Sequence, residues 1–208
     1  MYGDIAVPNN NEAELLEIAS KLGIEKLYFF YDFDKYGDVE KVKGELNKSH
    51  DSSRINIEIC LVAGHRNLGR AAGHSRILAA KSSGNDRAFI ESRKIKIIYG
   101  FEEPSKKDFM HQRASGLNHT LCELARKNNV AVGFSYSSLL NKSSAETSLL
   151  IGRMMQNISL CQKYNVKTAI GSFSGTPLGL RAPKDIIGLF TTLGMDGKKI
   201  KDSMRIDL

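Results

Sequence analysis

The feature that most constrains this chain is a repeated change of hydrophobic period, from short apolar runs to segments long enough for a helix. Asp4 to Val7 reads as a strand, Asn11 to Leu22 as a helix with Ala13, Leu16, Ala19 and Leu22 near one face, and Lys26 to Phe30 as a second strand. A polar helix is expected from about Asp38 to Lys48. A third strand follows over Ile55 to Val62, alternating before it becomes wholly apolar. Helical material is expected from Ala71 to Ala80 and from Asp86 to Arg93, ahead of a fourth strand at Lys94 to Ile98, where basic and apolar residues alternate. Leu117, Leu121, Leu124 and Ala125 then recur at the spacing of a helix face, and Asn128-Asn129 stop that helix before a strand over Val130 to Phe134. Ser143 and Glu146 form a capping box, whose hydroxyl and carboxylate satisfy backbone donors at the start of a helix striped by Ile151, Met154, Ile158 and Cys161. The last unit is the strand Thr168 to Gly171, a loop from Ser172 to Ala182, and a helix opened by Pro183.

Strands separated by helix-length segments pair in parallel through crossovers. Repeated units with no strand-only region leave a barrel or an open doubly wound sheet. We favour the barrel: an α/β, distorted TIM-barrel-like domain, smaller than usual. At 208 residues and 23.0 kDa the chain supplies one sizeable core, so a single domain over residues 1–208 is expected. No apolar run approaches the ~18 residues of a membrane span. Met1-Tyr2-Gly3-Asp4 lacks the segments of a signal peptide, and a cytoplasmic protein is expected. Cys60, Cys122 and Cys161 lie far apart inside apolar stretches and read as buried free thiols.

The net charge of +7 is unevenly distributed. Between Ser52 and Asn85 stand Arg54, Arg66, Arg70, Arg76 and Lys81 against Glu58 alone, and between Arg126 and Lys184 eight basic residues stand against Glu146. Such stretches suit a polyanionic partner, nucleic acid ahead of membrane, since no amphipathic basic helix accompanies them.

Catalytic signals are sparse. Gly64 to Arg76 concentrates glycine, arginine and histidine after a strand, as a phosphate-contacting loop would, but matches neither a Walker loop nor a dinucleotide fingerprint. His65 and His74 are nine positions apart, too far for a metal pair on one element, and His119 reads as a structural hydrogen-bonding group. Met154-Met155 reads as core. The loop Gly171 to Pro177 follows a late strand, where many barrels bind phosphate through backbone amides, which keeps a barrel phosphoesterase open as the alternative. For that chemistry the best acids are Asp4 and Glu102-Glu103. There is no tryptophan and no ribonucleoprotein motif, so RNA contacts are expected to go to phosphates and folded shape.

The runs Ser115-Gly116-Leu117-Asn118-His119-Thr120-Leu121-Cys122-Glu123-Leu124-Ala125 and Val130-Ala131-Val132-Gly133-Phe134-Ser135 resemble the centre of the TIM-barrel-like ribonuclease P protein family, component 3 of the archaeal enzyme and its eukaryotic counterpart. Gly152-Arg153-Met154-Met155-Gln156-Asn157 with Leu160 to Tyr164 resembles that family's long helix, and Arg181-Ala182-Pro183-Lys184-Asp185 its late turn. The resemblance runs from about Ile95 to Met195. It implies a non-catalytic subunit of a ribonucleoprotein that removes the 5′ leader of precursor tRNA, with Mg2+ used by the RNA component and no cofactor held by the protein. The implied partners are the catalytic RNA, precursor tRNA, a small RRM-like subunit and other ribonuclease P proteins. The family's barrel is related to PHP phosphoesterases, which carry an early His-x-His; here the first strand reads Asp4-Ile5-Ala6-Val7-Pro8, in keeping with a scaffold. No catalytic and no metal-binding residue is assigned. The expected RNA contacts are Arg113, Arg181 and Lys184, with Arg66, Arg70 and Arg76 as a second group.

Overall fold

A computed structural model describes residues 2–35, 44, 55–103, 107–108, 110 and 113–206. The polar helix expected at Asp38 to Lys48 lies outside the described residues, apart from residue 44.

Among the described residues, seven strands run in sequence order in one all-parallel sheet: β1 Gly3–Ala6, β2 Lys26–Asp32, β3 Asn56–Val62, β4 Ile77–Lys81, β5 Ile97–Tyr99, β6 Ala131–Ser135 and β7 Thr168–Gly171. Between and after them come α1 Glu12–Lys21, α2 Leu68–Ala71, α3 Asp86–Glu91, α4 His119–Lys127, α5 Ser144–Lys163, α6 Pro183–Thr192 and α7 Gly197–Arg205. The sheet curls until its edges meet. Ala6 bridges Ser174 in parallel, and the Val7 amide donates to the Ser174 carbonyl at 2.8 Å. The result is a nearly closed barrel, the favoured one of the two architectures that the strand–helix alternation left open.

Two apolar layers hold it together. Inside the barrel, Ile5, Phe30, Cys60, Ala79, Ile97, Ala131 and Ala169 pack as one cluster. Outside, strand residues such as Leu27, Leu61, Leu78, Ile98 and Val132 pack against Leu16, Phe89, Cys122, Met154, Ile158 and Phe190. Parallel strands buried on both faces read as near-continuous apolar runs, which is why β4 and β6 do not alternate. The stripe foreseen on α5 is largely borne out: Met154, Ile158 and Cys161 are buried, with Ile151 only half-buried and Leu150 buried beside it. Its capping box is formed, with the Ser143 hydroxyl accepting from the Glu146 amide and the Glu146 carboxylate accepting from the Ser143 amide at 3.0 Å. All three cysteines are buried free thiols.

Two expectations give way. The segment Ala71 to Ala80 is not a helix: α2 ends at Ala71, and Ile77–Lys81 is the central strand β4. Leu78, Ala79 and Ala80 are good helix formers, but pairing with β3 and β5 overrides local propensity. Met154-Met155 is divided, since Met154 is buried and Met155 is exposed.

Candidate nucleic-acid interface

In barrels of this kind, chemistry is staged at the C-terminal ends of the strands. Here three rings meet towards that end. Phe30 of β2, Tyr99 at the end of β5 and Phe173 just beyond β7 meet edge-on or tilted, with centroids 5.6 Å (Phe30–Phe173), 5.1 Å (Tyr99–Phe173) and 6.0 Å (Phe30–Tyr99) apart. Gly133 makes room for them, since a Cβ there would come within 2.8 Å of the Tyr99 Cβ and 3.3 Å of the Phe173 ring. Burial pushes the Tyr99 hydroxyl up, aided by the Glu103 and Asp32 carboxylates, so it stays protonated and poorly suited to act as a base.

The acids singled out in the sequence are structural. Asp4 lies at the seam between β1 and β7, where its Oδ1 accepts from the amides of Ile5, at 2.8 Å, and Ser172. Burial pushes its pKa to about 6, against the pull of those hydrogen bonds. Glu102 is fully buried beyond β5. Desolvation and the neighbouring Glu103 raise its pKa to about 7, opposed by Asn157 and Lys81. Glu103 is ion-paired with Lys81 at 2.6 Å. Among the described residues, no group of three or more His, Cys, Asp or Glu side chains is placed to hold a metal ion. His65 packs edge-on against Phe89, His74 lies tilted against Phe33, and the His119 ring nitrogen lies 3.3 Å from the Thr120 hydroxyl.

Arg113 is held by a small polar assembly on α5. Arg153, 1 % exposed, donates from Nε and Nη2 to Asp108 Oδ1 at 2.9 and 2.8 Å and from Nη1 to the Glu102 carbonyl at 3.1 Å. Desolvation works against the Asp108 carboxylate, but the Ala114 amide, Arg153 and Arg113 together hold its pKa below the ordinary range. Arg113 approaches Asp108 Oδ2 at 3.7 Å with its side chain 49 % exposed, and its guanidinium lies against the Gly152 backbone, where a Cβ would stand 2.2 Å from Nη1. Arg113 is therefore presented to solvent by a fixed base. Gly116 permits the turn that follows: its φ is +81°, and a Cβ would sit 2.5 Å from the Phe101 carbonyl oxygen.

Arg181 is more engaged than its position in a loop implied. Nη1 donates to the carbonyls of Leu178 and Leu180, both at 2.8 Å, and the guanidinium carbon sits 5.0 Å from the centre of the Tyr136 ring. It shapes the loop from within while remaining half-buried. Lys184 is exposed in the first turn of α6. The second group is split. Arg66 and Arg70 follow the C-terminal end of β3, Arg70 lying 5.8 Å from the Phe33 ring centre, whereas Arg76 immediately precedes β4. The six residues thus lie in three connections, β3–β4, β5–β6 and the segment after β7, and at both ends of the barrel. Arg153 was missed by sequence reasoning, because nothing local marks an arginine whose partner lies 45 positions away.

The sequence profile of the family described as RNase P subunit p30 matches residues 1–207. "Ribonuclease P protein component 3" of Methanococcus maripaludis strain C6 is 26% identical over 196 residues, covering 92% of this chain and 72% of that protein. The protein of the same name from Thermococcus kodakarensis is 33% identical over 89 residues, 43% of this chain and 40% of its own length. Among solved structures, a chain from the cryo-EM structure of archaeal ribonuclease P with mature tRNA superposes with a TM-score of 0.75 at 19% identity, over 98% of this chain and 87% of that one.

Proposed function

Because the chain belongs to the RNase P subunit p30 family, we propose that it is a non-catalytic protein subunit of ribonuclease P, the ribonucleoprotein that removes the 5′ leader of precursor tRNA. The observation that carries this reading is the family match over nearly the whole chain, on a barrel whose catalytic end is packed with Phe30, Tyr99 and Phe173. In this reading the protein presents Arg113, Arg66, Arg70, Arg76 and Lys184, with the Arg181 loop, to folded RNA. Cations at phosphates displace condensed counterions and screen repulsion between RNA segments, which lowers the Mg2+ the RNA needs to fold. The magnesium belongs to the RNA and the protein contributes no cofactor. The partners are the catalytic RNA, precursor tRNA, a small RRM-like subunit and the remaining ribonuclease P proteins, and the setting is the cytoplasm. Among the described residues no helix is long and apolar enough to cross a membrane.

The phosphoesterase alternative is not favoured: its best carboxylates, Asp4 and Glu102, are buried in the framework. The test is binding of the purified chain to the cognate catalytic RNA and to an unrelated structured RNA of equal length, alongside phosphatase turnover with added divalent metal. Preferential binding without turnover is expected. Turnover that rises with bound metal would overturn the reading.

A further inference from the structure

A basic groove lies at the opposite end of the barrel from most of the expected contacts. A groove of about 530 Å³ lies between the end of α4, the turn into β7 and α7. It is lined by Arg126, Lys167, Lys199 and Arg205, and among the described residues that line it Asp202 is the one carboxylate. No ion pair among the described residues engages any of these four cations. Arg113 and Arg181, by contrast, already have partners in the chain.

Topology explains how the charge collects there. Lys26 opens β2, and Arg76, Lys96 and Lys167 immediately precede β4, β5 and β7. Residues spread over more than 140 positions are thereby gathered at one end, since parallel strands all start on the same side. Lys26 is offset by Glu58 at 3.3 Å; Lys167, beside the groove, has no such partner. The wall is rich in hydrogen-bonding groups. Asn129 and Asn165 line it, and the Thr168 and Ser203 hydroxyls bond each other within it. Lys127, Lys198 and Lys201, on the two helices that flank the groove, are also exposed.

We propose that this groove binds the phosphodiester backbone of RNA, as a surface separate from the Arg113 and Arg181 loops. The inference rests on the reading of the chain as an RNA-binding subunit. Among the described residues, four cations with one acid among them repel one another until a polyanion fills the space, and a polymer can also reach the exposed lysines of α4 and α7. Backbone recognition also fits the lining, which offers cations, hydroxyls and amides rather than an aromatic platform for bases.

The test is the salt dependence of binding between the full-length chain and the catalytic RNA, for the wild type, the Lys167→Gln/Lys199→Gln double variant, and a control pair Lys35→Gln/Lys142→Gln that removes equal charge elsewhere. The groove variant should shallow the slope of log affinity against log salt by about 1.5, from roughly 0.7–0.9 per phosphate contact, while the control moves it far less. An unchanged groove variant, with wild-type binding intact, would overturn this proposal and leave the RNA-binding reading standing. Equal shifts in both pairs would reduce the effect to net charge and overturn it too. No wild-type binding would remove both. Unchanged RNA binding with lost assembly to the small subunit would assign the groove to a protein partner instead.

Discussion

The backbone amide of Ser172, one residue past the last strand, donates to the carboxylate of Asp4 in the first strand. Together with the Ala6–Ser174 bridge this hydrogen bond joins the two edges of the sheet. Gly171 allows the approach, since a Cβ there would come within 2.7 Å of Asp4 Oδ1. The seam is therefore built on a buried carboxyl group.

That arrangement makes stability depend on pH in a particular direction. Burial raises Asp4 from an ordinary value of 3.8 to about 6 and Glu102 from 4.5 to about 7. Each takes up a proton more readily in the folded chain than in the unfolded one. Their contributions are full below the unfolded values and are lost as pH rises through 3.8 to about 6 and 4.5 to about 7. Asp4→Asn keeps an oxygen for the Ile5 and Ser172 amides but does not titrate. Compared with wild type it should lose stability at pH 4 and recover by pH 7.5, a relative change on the order of 3 kcal/mol. Urea unfolding at both pH values measures it. Parallel wild-type and variant curves would contradict the assignment.

Arg153 anchors the loop that carries Arg113. Replacing it with Ala removes the donor to the Glu102 carbonyl and leaves Asp108 with only the Ala114 amide and Arg113, and should cost ~1–3 kcal/mol. Lysine should not rescue it, because one ammonium cannot reproduce the two-pronged contact with Asp108 Oδ1 and the bond to the carbonyl. Thermal or urea unfolding would show this, and a loss under about 1 kcal/mol would mean that the assembly is dispensable.

What could be read from the sequence, and what could not, follows from where each signal is stored. Periodicity and caps are local, so α4, α5 and α6 were legible from Leu121, the Ser143–Glu146 box and Pro183, and the strand–helix alternation carried the barrel. Strand β4 was not legible, because burial on both faces erases its alternation and its alanines and leucine favour a helix. Helix α7 was missed because it buries only Ile200, Ser203 and Met204; the remaining signal was Asp196, whose side chain caps it by accepting from Lys198 and Lys199. The Arg153–Asp108 pairing, the aromatic filling at Phe173 and the gathering of Lys167 with Arg205 depend on contacts between distant segments. Only folding reveals them.

Gly152 should be separable from Arg113 by substitution. Gly152→Ala places a methyl where the Arg113 guanidinium now lies, but that is the far end of a flexible side chain, and alanine regains about 1 kcal/mol of helix propensity. Stability should hold or rise slightly while affinity for the catalytic RNA falls as far as in Arg113→Ala. Unaltered RNA binding in Gly152→Ala, with weakened binding in Arg113→Ala, would mean that the present pose of Arg113 is not the binding pose.

Lys184 and Arg181 should behave differently although three residues apart. Lys184→Ala removes an exposed charge and should shallow the salt dependence of RNA binding by roughly 0.7–0.9 units with stability within about 0.5 kcal/mol of wild type. Arg181→Ala also removes the donor to the Leu178 and Leu180 carbonyls, so it should add faster limited proteolysis within the loop from Ser172 to Ala182. An intact loop in that variant would make Arg181 a simple surface cation.

The most direct measurement is cleavage of a precursor tRNA by the cognate catalytic RNA at limiting magnesium, with the small partner subunit present and this chain added or withheld. Stimulation that requires the chain, and that vanishes at high magnesium where the RNA folds unaided, is the expected result. Equal cleavage with and without the chain, under conditions where the RNA alone is competent at high magnesium, would contradict its role as a ribonuclease P subunit.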